Sequence, residues 1–102
     1  DYKMEELVHY TLLYDIYGSL LTDKQKEYFE DYYFKNLSLS ELASKYNISR
    51  NAIHKQIKET IKRLENYEDK LKLAKKNEML ENIIKKTSDE EIKRKLQEVI
   101  SL

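Results

Sequence analysis

Apolar residues recur at Leu7, Tyr10, Leu13, Tyr14, Tyr17, Leu20 and Leu21, the i, i+3, i+4, i+7 spacing of one helix face. This spacing predicts an amphipathic helix over residues 5–20. Gly18 costs that helix roughly 1 kcal/mol relative to Ala and suggests a close approach by another helix. Thr22 is a good N-cap for a second helix, with Asp23 in its positively polarised first turn. That helix carries Tyr28, Phe29, Tyr32, Tyr33 and Phe34, whose spacing reads as core, and ends near Asn36. Ser38-Leu39-Ser40-Glu41 fits a capping box, opening a short third helix that ends at Tyr46. Asn47 then suits the left-handed conformation of a helix terminus. Ser49 caps a fourth helix with Ala52, Ile53, Ile57, Ile61 and Leu64 on one side, running on through Tyr67 and Leu71.

Beyond this point the composition changes. Ten of the eleven aromatics lie at or before Tyr46, and the exception is Tyr67. The remainder is Lys/Glu-rich, with aliphatic residues at Leu71, Leu73, Leu80, Ile83 and Ile84. A second capping pattern, Ser88-Asp89-Glu90-Glu91, opens a last helix with Ile92, Leu96, Val99 and Ile100 on one face. The pattern therefore divides into residues 1–67, carrying the main helical domain, and residues 68–102, a helical C-terminal extension. The extension's apolar stripe must fold back on the core or meet a second chain, because an isolated helix of about 14 residues is marginal in water. A homodimer through the C-terminal helix is the expectation here.

One glycine and no proline leave almost no tight-turn chemistry, which excludes a β-rich fold. The expected class is all-α, a helical bundle of five or six helices. No cysteine means no disulfide framework and no thiolate metal site, consistent with a reducing, cytoplasmic setting. No run approaches the ~18 apolar residues of a membrane span, and no signal-peptide pattern precedes the first helix. The 16 lysines against three arginines, with abundant Tyr, Asn and Ile, reflect AT-rich codons and point to a bacterium. Asp1-Tyr2-Lys3 ahead of Met4 reads as the remnant of a cloning tag.

The net charge of zero conceals a pattern. Residues 1–43 carry four Lys/Arg against nine Asp/Glu, whereas residues 44–63 carry six basic residues against Glu59 alone. A local basic stripe fits phosphate contacts on one face, while overall neutrality disfavours wrapping by a polyanion.

The basic segment coincides with a motif. Residues 39–57 read as a helix-turn-helix, with small Ala43 where the helices cross and Asn47 at the turn. Ile48 is expected to tuck into the angle between the helices, with Ile53 and Ile57 facing the core. The outward face of the second helix then carries Arg50, Asn51, His54, Lys55 and Lys58. Such a helix fits the DNA major groove. Arg50 or Lys55 suits guanine, Asn51 suits adenine, and Ser49 with the free amides at the helix start suits a phosphate.

Catalytic chemistry is not legible. Phosphate-cradling loops need several glycines, and Gly18 stands alone. His9 and His54 are far apart and lack an i, i+4 partner for a metal. Glu5-Glu6, Glu30-Asp31 and Glu90-Glu91 are adjacent pairs pointing at different angles from a helix, not acid/base couples. The expectation is a binding protein, not an enzyme, with no catalytic residue, cofactor or metal.

Four stretches carry a family resemblance. They are Tyr-Asp-Ile-Tyr-Gly-Ser-Leu-Leu-Thr (14–22), Asp-Tyr-Tyr-Phe-Lys-Asn-Leu-Ser-Leu-Ser-Glu-Leu-Ala (31–43), Tyr-Asn-Ile-Ser-Arg-Asn-Ala-Ile (46–53) and Ile-Lys-Glu-Thr-Ile-Lys-Arg-Leu-Glu-Asn-Tyr-Glu (57–68). With them, residues 20–71 resemble the YlxM-like family of small bacterial proteins associated with the signal recognition particle, whose helix-turn-helix is similar to region 4 of sigma factors. Beyond Leu71 the resemblance is one of length and helicity. It implies an accessory or regulatory role in that pathway, through contact with the particle's RNA or its GTPase. It brings no catalytic residues. The alternative is a sigma-like, DNA-binding transcriptional regulator. A third reading is a purely structural module that dimerises through its last helix, which the basic stripe disfavours.

Overall fold

The structure, a computed structural model, describes the backbone of residues 2–102 and side chains from Glu5 onward. The proposed tag remnant Asp1–Lys3 thus falls outside the described side chains. The fold is all-α. Helices α1 (Tyr2–Tyr17), α2 (Asp23–Phe29), α3 (Leu39–Tyr46), α4 (Arg50–Leu71), α5 (Leu73–Lys86) and α6 (Glu90–Ile100) follow one another, with no strand among the described residues. The chain divides into two compact units, residues 1–70 and residues 71–102.

In the first unit α1 stops at Tyr17 and tightens into a 3-10 turn over Gly18–Leu20, three residues short of the predicted end. Gly18 is buried, and the group that comes close to it is not another helix. A Cβ there would meet the Tyr14 ring of the same helix at 3.1 Å. That ring stacks on Phe29, with centroids 4.4 Å apart and planes 5° apart. Burial first, and then a hydrogen bond to Glu30, push the Tyr14 hydroxyl up to about 12. Leu13 and Tyr17 are buried, but Leu20 stays half exposed beyond the break in the helix.

Thr22 caps α2 as expected and does so within a full capping box. Its hydroxyl accepts from the Gln25 amide, and the Gln25 side chain accepts from the Thr22 amide. The expected continuous helix to Asn36 is interrupted. Residues Glu30–Phe34 widen into a π-helical turn, closed by the Lys35 amide donating to the Glu30 carbonyl at 3.0 Å. Five aromatics between 28 and 34 are too many for one face of a 3.6-residue helix. The wider turn shares them between two neighbours: Phe29 and Phe34 meet Tyr14 of α1, while Tyr28 meets Tyr46 of α3. Asn36, at φ 56°, then ends the segment.

The same turn brings Asp31 inside, at 2% exposure. Its carboxylate accepts from Lys45 Nζ at 2.8 Å and from the Tyr46 hydroxyl, and pairs with Lys35 Nζ at 3.2 Å. Burial alone would raise its pKa. The hydrogen bonds from Lys45, Tyr46 and Lys35 outweigh that and hold it down at about 2, while burial and then this same carboxylate push the Tyr46 hydroxyl above its ordinary value.

Tyr28, Leu42, Ile53 and Ile57 form the core behind the motif, with Tyr32, Leu37, Ala43 and Tyr46 packed around them. Ile48 departs from expectation. It is 37% exposed, and the α3 side chain that packs with Ile53 and Ile57 of α4 is Leu42, at 0%. The far end of α4 is tied to α1 by the Tyr17 hydroxyl, which donates to Glu68 at 2.6 Å.

In the second unit, α5 and α6 pair as a hairpin, and neither contains a buried residue. Ser88 is not the cap of α6. Asp89 takes that position, accepting from the Glu91 and Ile92 amides at 3.0 and 3.1 Å. A carboxylate is the stronger acceptor at a positively polarised helix start, and Thr87 orients it by accepting from the Asp89 amide.

Two outcomes test this packing. Ile53→Ala should lose about 2–5 kcal/mol in urea unfolding, while Ile48→Ala should lose less than about 1 kcal/mol. Asp31→Asn should remove about 2 kcal/mol at neutral pH. Because the folded-state pKa lies below the ordinary 3.8, this contribution is complete at neutral pH and disappears as pH falls through 3.8 towards about 2. The variant's acid unfolding curve should therefore be flatter than the parent's across that window.

Candidate nucleic-acid interface

The motif is assembled by local chemistry. Ser38 caps α3 by accepting from the Glu41 amide at 3.0 Å, while the Glu41 carboxylate accepts from the Ser38 amide at 3.1 Å. The helix ends at Asn47, whose φ of 55° and ψ of 46° place it in the left-handed region that Asn tolerates. The Ile48 amide donates back to the Ala43 carbonyl at 3.1 Å. After the three residues Asn47–Ser49, the Ser49 hydroxyl accepts from the Ala52 amide at 3.0 Å and α4 begins.

One periodicity fixes which way α4 faces. Its buried residues are Ile53, Ile57, Thr60 and Leu64, spaced i, i+4, i+7, i+11. The Thr60 hydroxyl donates to the Gln56 carbonyl at 2.9 Å, so the one polar member is satisfied. Two residues earlier the same spacing gives Asn51, Lys55, Lys58 and Lys62, all exposed. A shift of two residues is about 200° around a helix, so burying the first stripe forces the second outward.

All six residues singled out from the sequence are exposed. Asn51, Lys55 and Lys58 lie on the outward stripe. Arg50 and His54 lie at its side, about 110° and 70° around the helix from its centre. Ser49 stands ahead of the helix, where its oxygen is already engaged as the cap and only its hydroxyl hydrogen remains to meet a phosphate. Lys62 is the member that the sequence reading missed. Its signal was present, because Lys62 follows Lys58 by four residues and Lys55 by seven.

None of Arg50, Lys55, Lys58 and Lys62 takes part in an ion pair among the described residues. The paired cations lie elsewhere, at Lys24, Lys35, Lys45 and along α5 and α6. An exposed row of cations engaged in no ion pair is what a phosphate backbone meets well, and it is least screened at Lys55 and Lys58, since Lys62 has acidic neighbours. A groove of about 920 Å³ beside the second half of α4 is different. Glu59, Glu65 and Asp69 alternate there with Lys62 and Arg63, a poor seat for an anion.

Two helices joined by a three-residue turn, the second presenting a polar outward face, define a helix-turn-helix protein. Residues 4–101 match a family described as "Putative helix-turn-helix protein, YlxM / p13 like". The chain belongs to that family, UPF0122. A UPF0122 protein of Lactococcus lactis subsp. cremoris is 43% identical over 102 residues, covering 95% of this chain and 92% of the relative. Those of Malacoplasma penetrans and Fusobacterium nucleatum are each 46% identical, over 87 and 86 residues, covering 85% and 84% of this chain and 81% of either relative. The match extends through α5 and α6. The tail therefore shares the family's sequence, not merely its length and helicity.

Ser49→Ala should cost about 1 kcal/mol by losing the α4 cap, with the helical circular-dichroism signal kept. A larger loss would mean that Ser49 supports the turn by more than its one bond to Ala52.

Proposed function

We propose that this protein is an accessory or regulatory factor of the signal recognition particle pathway, acting by binding and not by catalysis. The outward face of α4 is its nucleic-acid contact. The observation that carries the reading is the row Asn51, Lys55, Lys58 and Lys62, exposed and without ion pairs, directly after the helix-turn-helix connection. The resemblance over residues 20–71 supplies the pathway. Such a factor works in the bacterial cytoplasm, and no described helix is long and apolar enough to cross a membrane.

The mode of contact follows from groove dimensions. A single helix enters the B-DNA major groove but not the deep, narrow major groove of A-form RNA. On the particle's RNA, α4 lies along phosphates and unpaired segments, so its lysines dominate and base reading is weak. The second reading, a sigma-like regulator of transcription, is favoured by Asn51 and Arg50 in the first turn, where bases are reached in duplex DNA.

The test is fluorescence anisotropy with the particle's RNA and with duplex DNA of equal length, at several salt concentrations. Changing Arg50, Lys55 and Lys58 together to Ala should weaken RNA binding at least about tenfold and lower the salt slope by up to about three, with helicity unchanged. Equal affinity for the variant and the parent removes this face from the mechanism. Tight, sequence-selective binding to duplex DNA alone favours the transcriptional reading. Nuclease-resistant capture of the particle's GTPase, unaffected by the triple substitution, makes the contact one between proteins.

A further inference from the structure

Arg50, His54 and Lys58 follow one another at four-residue spacing along one flank of α4. Successive members are about 6 Å apart along the axis and about 40° further round it. All three are exposed, and His54 makes no hydrogen bond, ion pair or ring contact among the described residues. Its surroundings on the helix hold cations and no acid. Arg50 and Lys58 lie one turn away on either side, while Asn51 and Ile57, the nearest other positions, are uncharged. Glu59 is five residues on and about 140° round the helix. The elements packed on α4 bring the phenols of Tyr28, Tyr32, Tyr33 and Tyr46 to its buried side. The charged groups near them are already engaged: Asp31 with Lys45 and Lys35, Glu41 with the Ser38 amide, and Glu68, at the far end of α4, with Tyr17. None of these groups pairs with His54.

We propose that His54 makes nucleic-acid binding by α4 proton-dependent: charged, it completes a three-cation ladder with Arg50 and Lys58 and holds a phosphodiester, and neutral, it gives up that contact. This rests on the reading of α4 as the nucleic-acid face. An imidazole is the side chain whose charge ordinarily changes between about pH 5 and about pH 8. At one-turn spacing a third cation is repelled by the two that flank it. A phosphate laid against the ladder reverses the balance, because a nearby opposite charge favours the protonated form. Binding then takes up a proton, and by linkage affinity falls as pH rises. The neighbouring lysines and Arg50 keep their charge throughout. The displaced groups inside the fold stay out of this window, with the Asp31 carboxyl held at about 2 and the Tyr14 hydroxyl at about 12. His9, on α1, is the only other histidine of the chain. The contact also has a signature in salt, since each phosphate neutralised adds about 0.7 to the salt slope on a single strand and about 0.9 on B-DNA.

The experiment is fluorescence anisotropy of the full chain with the particle's RNA between about pH 5.5 and about pH 8, at several salt concentrations. Across that range the parent should lose about fivefold in affinity, and its salt slope should become shallower by about 0.7. His54→Gln should show the parent's high-pH affinity and slope at every pH, and His54→Arg the low-pH ones. His9→Gln should keep the parent's profile. Calorimetry at about pH 6.5, in two buffers of different ionisation enthalpy, should find proton uptake on binding by the parent and none by His54→Gln. A parent affinity that does not change with pH overturns the proposal, and so does a pH profile or proton uptake that survives in His54→Gln. In either case the α4 face itself stands if changing Arg50, Lys55 and Lys58 to Ala still weakens binding. A parent that does not bind the RNA, or a triple variant that binds as the parent does, removes the α4 reading and this proposal with it.

Discussion

The buried carboxylate of Asp31 is the constraint on which the first unit turns. A charge taken out of water is costly unless it is paired and hydrogen-bonded, and Asp31 has three partners. Two of them, Lys45 and Tyr46, close α3, while Asp31 belongs to the π turn that follows α2. The interaction therefore fixes the end of α3 against the end of α2. The Tyr46 ring completes the fixation by meeting Tyr28 edge-on at 4.8 Å. With α3 held, Leu42 is placed to receive Ile53 and Ile57, and this sets the roll of α4 about its own axis. The direction of the outward lysines is thus settled by a carboxylate on another element.

What was legible in the sequence is what depends on residues within a turn of each other. Thr22, Ser38 and Asn47 each act within three or four residues, and the structure uses them as read. The buried stripe of α4 is legible for the same reason, since a helix converts spacing into direction. Asp31 was not. Beside Glu30 it reads as one more surface acid, and only the π turn, which answers crowding among five aromatics, carries it inward. Ile48 and Gly18 fail likewise. Ile48 stays partly exposed while Leu42 packs with Ile53 and Ile57, and the ring lying over Gly18 comes from Tyr14, four residues away, held there by Phe29 of another helix.

The site itself was half legible. Asn51, Lys55 and Lys58 were found from the face left over once Ile53 and Ile57 were assigned inward. Lys62 lies three turns into α4, beyond the first turns where a recognition helix meets bases, so the motif by itself does not point to it. Extending the row to Lys62 shifts the balance of the proposed interface. Four positions over eleven residues span roughly 16 Å along the helix, which suits a run of phosphates more than a single base step.

Charge segregation explains how a neutral chain could carry the proposed interface. Residues 1–43 are acidic and residues 44–63 basic, so at distances beyond a Debye length of about 8–10 Å the fields cancel and screening removes the rest. Long-range steering towards nucleic acid is therefore weak, and non-specific association with bulk polyanion is small. Close to the first half of α4 the cancellation fails, because the cations there face outward and make no ion pair among the described residues. Attraction then acts only after approach, on a partner whose shape brings phosphates to that one face. Discrimination comes from geometry at short range and not from net charge, which is the behaviour expected of a factor serving a particular nucleic acid among many.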